Sequence, residues 1–232
     1  MNGTLFGIGV GPGDPDLLTV KAVKTIAACA VIAYPAPETG DSLARRIAAP
    51  HVPHGKREIP IRLPIEIDRH PAQDAYDGGA ETLARELAAG NDVALLCLGD
   101  PLFYGSFMYL QARLAERHRV LVVPGVTSFA ASAALAGYAV AAREDSLAVV
   151  PATLPDAEIE RRIGAHESLV FLKLGRHFAR VKALLARADL AANAIYVERA
   201  GQDGEKRMAL RDADFDAAPY FSLVLVHRRG RA

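Results

Sequence analysis

Leu5-Phe6-Gly7-Ile8-Gly9-Val10 runs directly into Gly11-Pro12-Gly13-Asp14-Pro15, and this stretch decides how the rest of the chain is read. A short apolar run bounded by glycine predicts a buried strand. Asp14 suits a helix N-cap and Pro15 the first helical position. Apolar residues at Leu17, Leu18, Ala22, Val23 and Ile26 then predict a helix beginning at that proline. The unit is strand, glycine turn, helix.

The glycine run invites a dinucleotide-binding reading and fails its detailed test. Counting from Gly7 puts Pro12 at the third glycine position, where close helix packing wants Gly or Ala. Counting from Gly9 puts Asp14 there, and its carboxylate would repel a pyrophosphate at the helix N-terminus. No phosphate-loop lysine motif occurs elsewhere in the chain.

The same grammar recurs outward from this stretch. Buried strands are predicted over residues 30–34, 92–98 and 120–123, and helices over 42–49, 80–89 and 106–117. Residues 50–71 hold five prolines and predict a loop with a short extended piece at 59–61. Strands apolar on both faces that alternate with helices argue a mostly parallel sheet with helices outside. Ligands in such sheets sit beyond the carboxyl ends of the strands. Three glycine turns, at 9–14, 99–101 and 124–128, fall at such ends. From Ser146 onward, strands over 147–150, 169–172, 194–197 and 223–226, helices over 156–164 and 176–188, and a further strand over 207–211 predict α+β texture with some antiparallel pairing. The expectation is an α/β protein of two α/β domains, residues 1–123 with a mostly parallel sheet and 124–232 with a mixed one, and a cofactor cleft between them.

Charge and composition narrow the function. Lys+Arg and Asp+Glu both total 27, so there is no net charge to favour nucleic acid or a membrane surface. The uncharged residues 120–142 are long enough for a membrane span, yet Pro124-Gly125 interrupts them, and strand, turn and small-residue helix is the better reading. Cys29 and Cys97 form no C-x-x-C pair, and a reducing, cytoplasmic setting fits. The N-terminus has no basic region, so no signal peptide is expected. His51 and His54 have a spacing that metals use, but flanking prolines and the lack of further ligands argue against a metal. No nucleophile elbow supports Ser–His–Asp chemistry.

Three motifs now carry a resemblance. Gly9-Val10-Gly11-Pro12-Gly13-Asp14-Pro15-Asp16-Leu17-Leu18-Thr19, Leu98-Gly99-Asp100-Pro101-Leu102-Phe103-Tyr104-Gly105-Ser106 and Pro124-Gly125-Val126-Thr127-Ser128 resemble the signatures of the tetrapyrrole (corrin/porphyrin) methylases, in family order and spacing. The likeness extends through residues 169–175 and 195–201. Residues 33–36, 40–48 and 220–226 are similar to the branch that methylates precorrin-2 at C-20.

The resemblance implies a class III, S-adenosylmethionine-dependent C-methyltransferase of cobalamin biosynthesis, a homodimer that makes precorrin-3A without a metal. Cobalt-factor II, another ring position, diphthine or rRNA are alternative acceptors, and a non-catalytic tetrapyrrole-binding protein is the alternative of another class. Carried over by position, the cofactor contacts are Pro12, Leu98, Gly99, Asp100, Phe103, Thr127, Ser128, Lys173 and Ala200. Several relatives have Met where Lys173 stands, so a backbone contact is expected there. Asp100 and Tyr104 are the candidate catalytic groups for removing a proton. A polycarboxylate substrate calls for cations, and Arg45, Arg46 and Arg57 are the candidates, with Lys56, Arg62 and Arg69 beside them.

Overall fold

β1 (Thr4–Gly9) lies at the centre of its sheet, paired in parallel with β4 (Val93–Cys97) on one side and β5 (Arg119–Val123) on the other. β2 (Val31–Pro37) and β3 (Arg57–Leu63) complete an all-parallel sheet of order β3-β2-β4-β1-β5. In the computed structural model, which describes residues 2–64 and 70–230, this sheet belongs to a unit spanning Met1–Thr127. A second unit spans Ser128–Ala232. Arg69 lies outside the described residues.

Each face of the first sheet is covered by helices. Leu5, Val93, Leu95 and Ile61 pack with α3 (His70–Ala88) and α4 (Phe107–Leu114) through Leu83, Leu87, Phe107 and Leu110. Ile8, Ile32, Ala94 and Leu96 pack on the other face with α1 (Val20–Ala28) and α2 (Leu43–Ala48). Burying a side chain of this size contributes about 1.5–3 kcal/mol. Gly7 lets α4 sit close, since a Cβ there would come within 2.3 Å of the Phe107 ring.

The first helix does not start at Pro15. Asp14 caps only a three-residue 3-10 turn, Pro15–Leu17, by accepting from the Asp16 amide, and Leu18 is extended. Thr19 then caps α1 by accepting from the Ala22 amide at 3.1 Å. Two Asx/Thr caps stand five residues apart, and the second holds the helix. The proline-rich segment is also more ordered than expected. β3 runs for seven residues at the sheet edge, the place where Pro60 costs the ladder least. α3 begins at His70, ten residues earlier than expected, and contains Gly78 and Gly79. Gly79 faces β3, where a Cβ would meet Ile61 Cγ2 at 2.9 Å.

The second unit is built on a mixed sheet of order β6-β7-β10-β8-β9. These strands are β6 (Leu147–Pro151), β7 (Ser168–Leu172), β8 (Ala194–Glu198), β9 (Lys206–Ala209) and β10 (Ser222–His227). β6 and β7 are parallel, and β10 runs antiparallel to both β7 and β8. β6, β7 and β8 therefore point the same way. α6 (Asp156–Ala165) and α7 (Phe178–Arg187) cover one face through Ile159, Phe178, Val181 and Leu185, with Phe178 stacked on Phe215 at 4.7 Å. α5 (Ser128–Ala136), built of small apolar residues, lies on the other with Ala133 against Val197 and Leu223. No described helix is long and apolar enough to cross a membrane.

Candidate functional site

In the first unit the turns after β1, β4 and β5 meet backbone to backbone. The Val10 amide donates to the Cys97 carbonyl at 2.9 Å. Gly11 and Gly99 then form an isolated antiparallel bridge, with amide-to-carbonyl distances of 3.3 and 2.8 Å. Both glycines have positive φ, 76° and 67°, which a side chain would resist. A Cβ on Gly125 would lie 2.2 Å from the Gly99 carbonyl oxygen and 2.7 Å from Gly9 Cα. Three glycines, one from each predicted turn, thus allow a contact that no other residue permits.

Asp100 fastens this contact. Its Oδ1 accepts from the Leu102 amide at 2.9 Å and its Oδ2 from the Gly125 amide at 3.0 Å. The carboxylate so shapes its own turn and holds the turn after β5. Pro12 and Gly99 are buried, Leu98, Phe103 and Thr127 are half-buried, and Tyr104 is 48% exposed. Phe103 and Tyr104 meet edge to face at 5.0 Å. Tyr104 has φ 55°, an uncommon conformation for an aromatic residue. Residues 9–14, 98–105 and 124–127 carry no Lys, Arg or His. The turns thus offer neutral backbone and two carboxylates, Asp14 and Asp100, each already accepting from backbone amides. That chemistry suits a positively charged sulfonium ligand and does not suit a pyrophosphate.

The remaining cofactor candidates lie in the second unit. Lys173 follows β7 and Ala200 follows β8, so both stand at the edge of the sheet where the parallel strands end. Lys173 is exposed with φ 57°, and Arg199, just before buried Ala200, has φ 53°. Among the described residues five non-glycine positions have positive φ, and Tyr104, Lys173 and Arg199 each coincide with or adjoin a candidate position. Strained backbone clusters at functional sites, and sequence alone gave no sign of it. Ser128 opens α5. Near Lys173, His177 is held below its ordinary pKa by burial, with Arg180 and Arg176 adding to the effect.

The basic candidates scatter. Arg45 clasps Glu58 with two bonds of 2.8 Å, and Tyr34 donates its hydroxyl proton to the same carboxylate at 2.9 Å. Hydrogen bonding to Arg45 chiefly holds Glu58 below its ordinary pKa, and Tyr34 adds to this. Arg46 is exposed on α2. Lys56 bonds the Ala27 and Cys29 carbonyls, and Arg57 pairs with Glu86 at 2.7 Å. Both stand at the amino end of β3, the end of the sheet opposite the glycine turns. Arg62, near the carboxyl end, donates to the Pro37 and Gly40 carbonyls, each at 2.9 Å. Reading the sequence grouped these cations by proximity along the chain; strand direction separates them. His51 lies 3.3 Å from the Pro15 carbonyl, and the described residues contain no group of three or more metal-ligating side chains.

Residues 4–214 match the family Tetrapyrrole (Corrin/Porphyrin) Methylases. The Precorrin-2 C(20)-methyltransferase of Sinorhizobium sp is 41% identical over 97% of this chain and 95% of its own. The Cobalt-precorrin-2 C(20)-methyltransferase of Salmonella typhimurium is 36% identical over 99% and 98%. The Cobalamin biosynthesis protein CobIJ of Mycobacterium tuberculosis is 41% identical over 97% of this chain, which spans only 46% of that longer protein. Among solved structures, a cobalt precorrin-4 methyltransferase superposes with TM-score 0.75 at 22% identity, covering 99% of this chain and 96% of that one. The Uroporphyrin-III C-methyl transferase of Thermus thermophilus, in complex with S-adenyl homocysteine, gives 0.70 at 24%, covering 97% of each. At these identities the two structures speak for the fold.

Proposed function

The chain belongs to the tetrapyrrole (corrin/porphyrin) methylases, and from that premise we propose that it is an S-adenosylmethionine-dependent C-methyltransferase that converts precorrin-2 to precorrin-3A by methylation at C-20. One observation carries the reading: 41% identity to a precorrin-2 C(20)-methyltransferase along nearly the full length of both chains. The reading includes a homodimer working in the cytoplasm on a small-molecule tetrapyrrole, without metal, nucleic acid or membrane partner.

S-adenosylmethionine supplies an activated methyl group on sulfur, and the acceptor carbon supplies the electron pair. The protein's main task is then alignment, and well-oriented reactants gain effective molarities of up to ~10⁵–10⁸ M. The glycine contact of Gly9, Gly99 and Gly125 fixes the three turns as one rigid floor. Asp100 keeps that floor closed through the Leu102 and Gly125 amides. Thr127 and Ser128 offer hydroxyls for polar ends of the donor, and Lys173 and Ala200 remain the candidates for backbone contacts to it. Tyr104, exposed on the same turn as Asp100, is the better placed of the two catalytic candidates to pass the departing C-20 proton to water. Asp100 is committed to amides.

The Salmonella relative supports a second acceptor, the cobalt-containing counterpart of precorrin-2. Competition between the two tetrapyrroles for methyl-labelled S-adenosylmethionine under anaerobic conditions separates them. Calorimetric binding of tetrapyrrole without any binding of S-adenosylmethionine would replace the enzyme with a carrier.

A further inference from the structure

β2 does not end with its sheet. Its pairing with β4 stops at Ala33–Leu95, while its pairing with β3 continues to Pro37–Leu63. Four more residues of β2 and β3 therefore run on as a two-stranded ribbon, ~13 Å long at the usual rise per residue. The ribbon stands at the carboxyl end of the sheet, next to the strand whose turn holds Gly99 and Asp100.

Proline explains both the departure and the stiffness. Pro35 has no amide hydrogen for a ladder, and its carbonyl accepts from the Ser42 hydroxyl at 2.6 Å. Pro35, Pro37 and Pro60 each fix φ in the ribbon. Arg62 then closes the tip, its Nη1 donating to the Pro37 and Gly40 carbonyls at 2.9 Å each. Glu38 and Asp41, both exposed at that tip, give it acidic character. A tip of that charge repels a polycarboxylate and is no receptor for one. What it offers is shape.

We propose that this ribbon is a wall that orients the tetrapyrrole beside the glycine turns, and that Arg62 is a positioning residue that latches the wall's tip without touching the substrate. The inference rests on the methyltransferase reading above and deepens it. Residues 33–36 and 40–48, where the sequence resembles the C-20 branch, include most of the β2 side of the wall and part of its tip.

The test pairs hydrogen exchange of the ligand-free protein with kinetics of Arg62→Ala and Arg62→Lys. Arg62 is exposed, so both variants fold. Exchange at residues 38–41 quickens in Arg62→Ala. KM for the tetrapyrrole rises about tenfold, the scale expected for losing charge-assisted hydrogen bonds, with a smaller fall in kcat and an unchanged Kd for S-adenosylmethionine. Arg62→Lys, still able to donate to two carbonyls, recovers part of both effects. Unchanged exchange with a raised KM would overturn the latch in favour of a direct substrate contact. Quickened exchange with an unchanged KM would overturn the wall. A wild-type chain that methylates neither tetrapyrrole overturns the functional reading and the wall with it, while the exchange rates still decide the latch.

Discussion

Replacing Asp100 by Asn tests whether this carboxylate is first a fastener. Two backbone amides, those of Leu102 and Gly125, converge on its two oxygens at 2.9 and 3.0 Å. Asparagine keeps one acceptor oxygen and turns an NH2 toward the second amide, which cannot accept. A buried donor left unmet costs ~1–3 kcal/mol, and Gly125 and Asp100 are half-buried. The expected loss is about 2 kcal/mol, or about 1 M in the urea midpoint at an ordinary m-value. The chain has no tryptophan, so far-UV circular dichroism is the bulk probe. Hydrogen exchange at β1 and β4 amides assigns the loss to the first unit. S-adenosylmethionine affinity falls in parallel, because the turns after β4 and β5 lose their register. An Asp100→Asn chain as stable as wild type, yet without methyl transfer, would refute the reasoning and make Asp100 a group that acts on the ligand.

Gly125→Ala places a methyl 2.2 Å from a carbonyl oxygen and is expected to cost about 3 kcal/mol, the upper range for overpacking against backbone. Gly164→Ala, in α6 with nothing within 4 Å, stabilises by about 0.5–1 kcal/mol; urea unfolding reads both. In the second unit, Asp145 is held down to about 2 by the Ala142 amide, His227 and Arg229, and Glu167 to about 2 by the Ser146 hydroxyl and amide. Both carboxylates are depressed below unfolded values of ~3.9 and ~4.3. Their contribution is therefore complete above ~4.5 and is lost as pH falls toward 2. Asp145→Asn and Glu167→Gln flatten that acid limb in a pH series of unfolding midpoints, and an unaltered limb would dismiss both groups. Burial pushes the Cys29 thiol up to about 12, with Asp92 adding and Lys56 opposing, and burial likewise raises Cys97. Both thiols stay unmodified by a disulfide reagent at pH 7.5 until the chain unfolds, and prompt labelling of the native protein would contradict that.

Local signals made much of the architecture readable. Apolar runs bounded by glycine marked β1 and β4, and the three glycine turns marked where the strands end. Errors arose where two local signals competed or where the deciding partner was distant. Asp14-Pro15 looks like a helix start, but the extended Leu18 breaks the path and Thr19 caps instead. Gly78-Gly79 hid the first half of α3, because its fit against Ile61 is a tertiary fact. The sequence also hides that Arg45 and Arg57 pair with Glu58 and Glu86, 13 and 29 residues away. Arg62 and Asp100 fasten backbone groups 22 to 25 residues distant, and carbonyl and amide targets leave no mark in a sequence.

The most direct measurement is an anaerobic incubation of the chain with precorrin-2 and methyl-labelled S-adenosylmethionine, with the product read by mass and NMR. The account predicts one added methyl group with the label at C-20. Label at another ring carbon, or S-adenosylmethionine bound with no methyl transferred to precorrin-2 or its cobalt counterpart, would contradict it.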